Sequence, residues 1–215
     1  MKNLFFEYLK LRKKTRSWLG PILVFILIMI AYPLTVELLQ ENLQQSFYSV
    51  LWIAVLIAMM MATETIFEED FNDGTLEHEL ASELLFELLV GKKIFIYWAM
   101  IGIPISILSF LFSLGTNQDV NISLYVFTLS LFSSYIFLNL FAFGNSLSIN
   151  KGSALGAIIT MPLALPILIV LGKSITALKF GVNYIEFMLL LLGCLSIIMI
   201  IMPFIISFIL KAHLE

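Results

Sequence analysis

"SFYSVLWIAVLIAMMMAT" (Ser46–Thr63) is followed almost at once by "FEEDFNDGTLEHEL" (Phe67–Leu80). The first stretch is continuously apolar and long enough to cross about 30 Å of hydrocarbon as a helix. The second crowds carboxylates where lipid cannot hold them, so the chain must leave the bilayer between the two. The rest of the sequence repeats the first pattern. It is 60% hydrophobic and 13% charged over 215 residues, with a mean hydropathy of +1.02. That charged fraction is about half the ~25% of soluble domains, which excludes an ordinary soluble globular fold.

Six such runs are expected to be transmembrane helices: Gly20–Leu39, Ser46–Thr63, Ile94–Leu114, Ile122–Gly144, Gly156–Leu171 and Ile185–Leu210. The last is longer than a span requires and is expected to tilt or to stop early at Pro203. The runs are continuous rather than alternating, which favours an all-α bundle over a barrel. No polar block is long enough for a second fold, so residues 1–215 form one membrane domain. A positively charged start without a small-residue cleavage site predicts an uncleaved N-terminus.

Orientation follows from lysine and arginine. Lys2, Lys10, Arg12, Lys13, Lys14 and Arg16 precede the first run. Lys92 and Lys93 follow the second, Lys151 the fourth and Lys211 the last. The other side carries Lys173 and Lys179, and its first two loops, "ENLQQSF" and "TNQDVN", carry neither residue. The positive-inside bias places both termini and the acidic segment in the cytoplasm, or in the matrix of a mitochondrion. Residues 1–18 combine Leu4, Phe5, Tyr8, Leu9 and Leu11 with Lys2, Lys10, Lys13 and Lys14, the pattern of a helix lying in the membrane interface.

Several chemistries are unsupported. Glu37, Glu64, Lys173 and Glu186 fall at run ends, and no ionisable residue sits mid-span for a proton relay. No G-x-x-x-x-G-K-[ST] loop is present to hold ATP. The lone cysteine, Cys194, cannot form an intrachain disulfide, and His78 and His213 have no metal-ligand spacing. Asp70-x-x-Asp73-Gly74 resembles the start of a metal signature of head-group transferases, but the Ala-Arg pair and the further aspartates that should follow are missing. No cofactor, metal or nucleic-acid partner is expected for this chain, nor any catalytic residue.

From Thr75 the acidic segment has helical spacing. Leu76, Leu80, Leu84 and Leu88 fall four apart, and Glu79, Glu83 and Glu87 form a second stripe. Asp73-Gly74 supplies a turn, with Thr75 as the expected N-cap and Glu77 in the first turn. One reading is a solvated connector. The other is a short cytoplasmic helix that docks on a partner, with leucines in a groove and acids against cations.

The chain resembles the B subunit of the haem exporter of cytochrome c maturation, a permease of the ABC transporter class. "ETIFEEDFNDGTLE" (Glu64–Glu77) carries Glu64, Phe67, Asp70, Asp73, Gly74, Leu76 and Glu77 at the family's positions after the second span. "KIFIYWAMIGIP" (Lys93–Pro104) matches at Lys93, Trp98, Gly102 and Pro104. "FGNSLSINKGSALGAIITMPLALPILI" (Phe143–Ile169) matches at Gly144, Leu147, Lys151, Gly152, Pro162 and Pro166. Thr65 stands where the family usually has a basic residue, and Glu83 where prolines are common.

The resemblance implies a six-span, ABC-2-like permease in the bacterial inner membrane, or the mitochondrial inner membrane, with residues 68–93 as a coupling segment between spans two and three. The coupling interface would comprise Glu64, Asp70, Asp73, Gly74, Leu76, Glu77, Glu79, Leu80 and Glu83. Partners implied are an ATPase subunit (A), which spends the ATP, a haem-handling membrane subunit (C) and a small single-span subunit (D). The complex would deliver haem to, or release it with, a periplasmic haem chaperone. Gly102, Pro104, Pro162 and Pro166 are expected conformational positions, the two later prolines kinking a fifth span that faces the bundle interior. An ABC-2 permease for lipid, polysaccharide or drug, and a non-transporting assembly factor, are the alternative readings.

Overall fold

A computed structural model describes residues 18–36, 43–64, 66–81, 85–117, 119–149, 153–180 and 184–214. Helices account for every regular element among them, and none of the described residues lies in a strand. In chain order these are α1 (Leu19–Val36), α2 (Leu43–Thr63), α3 (Glu68–Asn72), α4 (Thr75–Leu80), α5 (Phe86–Tyr97), a π turn (Trp98–Gly102), α6 (Ile103–Asn117), α7 (Val120–Leu147), α8 (Ser153–Lys179) and α9 (Tyr184–Leu214). The expected interfacial helix falls on residues 1–18, which lie outside the described residues except Trp18.

Five helical stretches are long and apolar enough to cross a membrane: Ser46–Asn72, Phe86–Thr116, Val120–Leu147, Ile158–Leu178 and Ile185–Leu214. The apolar part of α1, Leu19–Thr35, is shorter. A six-span count is therefore not established by length and composition.

Helix α7 is the hub. It packs against α2, α6, α8 and α9, and it buries more of its apolar window than any other candidate span. Small hydroxyl residues make this possible. Ser113 and Ser123 bring their Oγ atoms within 3.2 Å across the α6–α7 pair, and Ser109 and Ser130 within 3.1 Å. Without a hydrophobic driving force between helices in lipid, such small, hydrogen-bonding side chains let backbones approach closely. Trp98 Nε1 donates to Ser134 Oγ at 3.1 Å one step further along the same seam. On the other flank, α1 is joined to α2 by Tyr32 and Ser46, whose hydroxyl oxygens lie 2.6 Å apart.

Helices α8 and α9 lie at the periphery. Their large apolar side chains, among them Ile158, Leu165, Ile169, Leu189, Ile200 and Phe208, are exposed, as lipid-facing residues would be.

Four expectations change here. The third span extends back to Phe86 instead of Ile94, because Lys93 is buried and ion-paired with Asp70 instead of sitting in a loop. Pro162 and Pro166 lie within one continuous helix and are both exposed, so their face points away from the bundle interior. The inward stripe of α8 is Gly156, Thr160, Ala164, Ile167, Leu171 and Ser174, a seam on which neither proline falls. Pro203 does not end the last helix, which continues to Leu214. The expected single helix from Thr75 through Leu88 is also not formed: α4 ends at Leu80, and α5 begins at Phe86 after Leu85 in an extended conformation (φ −62°, ψ 117°).

Candidate functional site

The acidic segment is folded onto the ends of three helices. After α2, Ile66 and Phe67 turn inward and are buried, at 1% and 0% exposure. Asn145, near the C-terminal end of α7, holds this turn at both ends of its amide. Its Nδ2 donates to the Glu64 carbonyl at 2.7 Å, and its Oδ1 accepts from the Phe67 N–H at 3.2 Å. Buried backbone groups leaving a helix need partners, and one asparagine satisfies a donor and an acceptor at once.

A second attachment comes from α5. The ammonium of Lys93, buried along with its stem, donates to Asp70 Oδ2. The same ammonium lies 5.2 Å from the centroid of the Phe67 ring, within cation–π range. Two acids of the segment differ in their environment. Hydrogen bonds from Thr75, side chain first, hold the Asp73 carboxyl below its ordinary value. Burial pushes the Glu79 carboxyl up, an effect that nearby Lys93 opposes and Asp70 reinforces.

Gly74 is the one glycine here whose conformation demands glycine. Its φ is +77°, in the left-handed region, and a Cβ there would meet nothing within 4 Å. Gly74, not Thr75, occupies the cap position of α4. Asp73 Oδ1 instead accepts from the Thr75 N–H at 3.0 Å, closing an Asx turn.

Leu76, expected to enter a partner's groove, is buried in this chain at 1% exposure. Asp70 is neutralised within the chain by Lys93, which also removes half of the metal-motif pair. Glu64, Glu69, Asp73, Glu77, His78 and Leu80 are exposed, and Glu79 is half-buried. Glu83 lies outside the described residues. The outward surface of the segment is thus acidic with one leucine, while the inward surface is apolar and latched.

The latch is continuous with other helices of the bundle. Gly144, beside Asn145, crosses α8 at Gly156 so closely that a Cβ on Gly144 would lie 2.6 Å from the Gly156 carbonyl oxygen. Lys211 Nζ, near the end of α9, donates to Glu87 Oε1 at 2.6 Å in the first turn of α5. Acidic segment, third span, fourth span and last helix are therefore joined at one end of the molecule.

Gly102 and Pro104 meet at the π turn. Pro104 cannot donate to the carbonyl four residues back, and the chain widens just before it, with the Ile103 N–H bonded to the Trp98 carbonyl. The Trp98 indole lies against Gly102, where a Cβ would come within 2.4 Å of Cδ1.

Asn145 and the burial of Lys93 are the site features that sequence reasoning missed. The available signal was an amide in the last turn of an apolar helix, facing a loop with unsatisfied backbone groups.

A comparison with curated proteins finds no match. A family model described as CcmB protein matches residues 1–213. The chain belongs to the CcmB family, the haem exporter protein B family, whose members are non-catalytic, permease-type membrane components of the multi-subunit haem exporter that serves cytochrome c biogenesis.

Proposed function

We infer that this chain is the six-span, ABC-2-like permease of an ATP-driven complex, and that its acidic segment receives motion from a separate ATPase subunit. The observation that supports this is the two-sided build of Glu64–Leu80. Its inner side is clamped by Asn145 and Lys93 to α7 and α5. Its outer side presents Glu69, Asp73 and Glu77 around the exposed Leu80. A docked partner with basic residues around an apolar pocket would complement that surface, and the clamp would carry its displacement into the spans.

In this reading both termini and the segment lie on the cytoplasmic side of the bacterial inner membrane. The haem-handling and small single-span subunits complete the complex. This chain holds no cofactor of its own: ATP is spent by the ATPase, and haem is cargo of the assembly bound for the periplasmic chaperone. The interface residues are Glu64, Glu69, Asp73, Gly74, Glu77, Glu79 and Leu80. Asp70 and Leu76 instead position the segment from beneath, and Glu83 is retained from sequence alone.

The test is charge reversal on the outer surface alone. Glu69→Lys with Glu77→Lys spares Asn145, Lys93 and Asp70. Co-purification of the ATPase subunit at moderate salt should drop by roughly tenfold, since like-charge juxtaposition costs several kcal/mol at an interface. Membrane insertion should be unchanged. Undiminished co-purification would remove the segment from the docking surface.

A further inference from the structure

Helix α7 carries one polar side chain that its surroundings leave incomplete. Asn139 is fully buried, at 0% exposure, and lies about 12 Å inside the nearer end of the helix at 1.5 Å per residue. Its Nδ2 donates to the Tyr135 carbonyl at 2.9 Å, one turn back. Its Oδ1 is a buried acceptor with no hydrogen-bond partner among the described residues. Exchanging the two amide atoms would not relieve this. It would set Oδ1 against the Tyr135 carbonyl, acceptor to acceptor, and leave a donor unpaired instead.

An unpaired amide acceptor is costly in a protein interior, and within a bundle surrounded by lipid no bulk water relieves it. Native structures leave few such groups, and an ordered water commonly serves those that no side chain reaches. Asn139 has no surface open to a lipid, a partner subunit or a bulky ligand. A buried water needs at least two polar partners. The second is the phenol of Tyr135, which lies beside the Asn139 side chain. Residues four apart share one face of a helix, and a phenol O–H can both donate and accept. Tyr135 keeps 5% exposure, so its side chain is not fully sealed from a molecule the size of water. The Trp98 ring stands edge-on to that of Tyr135, with centroids 5.4 Å apart, so the pair borders the π turn of the third span.

We propose that Asn139 and Tyr135 hold an ordered water inside the bundle. The water donates to Asn139 Oδ1 and accepts from the Tyr135 O–H. It completes an amide that the chain alone leaves short, and it makes this turn of α7 a hydrated point among the membrane-spanning helices. Neither residue belongs to the acidic segment, so the site does not depend on the ATPase-docking reading.

Radiolytic hydroxyl footprinting of the full chain in nanodiscs, read by mass spectrometry, tests this. A bound water yields hydroxyl radical where it sits, so a buried ring in contact with one is oxidised and a dry one is spared. Each rate is scaled to that of the same residue in the denatured chain. Tyr135 should be oxidised faster than Phe137, which lies two positions along the same helix at 0% exposure. Asn139→Leu keeps the size of the side chain and removes the acceptor. Oxidation of Tyr135 should then fall about tenfold, the change in occupancy that one lost hydrogen bond produces, while Phe137 stays as protected as before. The wild-type comparison needs no variant, so it decides even where Asn139→Leu fails to fold. Tyr135 oxidised no faster than Phe137 in the wild type, or equally fast in folded Asn139→Leu, overturns the proposal.

Discussion

The ammonium of Lys93 is 5.2 Å from the centre of the Phe67 ring and ion-paired with Asp70. An ammonium buried this well is tolerated only with a partner, and the Lys93 ammonium in turn holds the Asp70 carboxylate in place. The pair therefore fixes the acidic segment more than it stabilises the protein as a whole. Removing one partner tests this. Lys93→Met leaves Asp70, at 23% side-chain exposure, without its cation, and should cost about 2 kcal/mol, less than a fully buried orphan charge because water still reaches the carboxylate. Lys93→Met with Asp70→Leu should recover most of that loss, since an apolar pair can replace a buried ion pair. Thermal unfolding in detergent gives the comparison. A double variant no more stable than the single one would mean that Lys93 acts through something other than Asp70.

Helix α8 illustrates what spacing along an element decides. Its inward stripe begins with Gly156, which meets Gly144 of α7 at backbone contact. Gly144→Ala should force the two helices apart and cost about 1–3 kcal/mol, the usual penalty for overpacking. Gly172→Ala, on the same helix α8 with nothing within 4 Å of its Cβ, should be neutral or slightly stabilising, as helix propensity alone predicts. Equal melting temperatures for the two variants would show that the crossing is not tight. The long apolar runs were legible because a membrane span needs a fixed length of apolar residues, and the runs from Ser46, Ile122, Gly156 and Ile185 sit inside the observed helices. The start of the third span was not legible, because a Lys92-Lys93 pair is ordinarily a loop signal and only the fold brings Asp70 to neutralise Lys93. Leucines four apart at 76, 80, 84 and 88 mimicked one helix, yet Leu76 is buried while Leu80 and Leu88 are exposed. Periodicity cannot register the break at Leu85. The orientation of Pro162 and Pro166 was equally hidden, since a helix clothed in apolar residues all round gives no sign of which side meets its neighbours.

At the scale of the molecule, α7 ties the two ends together. Its buried seam of serines joins α6, its last turn holds the acidic segment through Asn145, and its other end is capped by Asp119. A displacement of the segment against this helix has few places to be absorbed, because the Gly144–Gly156 contact and the serine pairs leave no space beside them. The third span is widened at the π turn, and α8 and α9 expose many large apolar side chains among the described residues. In the proposed reading, α7 would then act as the central lever, with the acidic segment latched as a plate at one end. That reading makes the orientation in the membrane the decisive fact, because an ATPase can grip the plate only from the cytoplasm. Replacing Cys194 with alanine and introducing Glu77→Cys or Val120→Cys, two exposed positions at opposite ends, gives a direct reading with a membrane-impermeant maleimide. Val120→Cys should label in cells whose inner membrane is intact, and Glu77→Cys only after that membrane is opened. The reverse pattern would put the acidic plate in the compartment without ATP, and no ATPase subunit could then act on it.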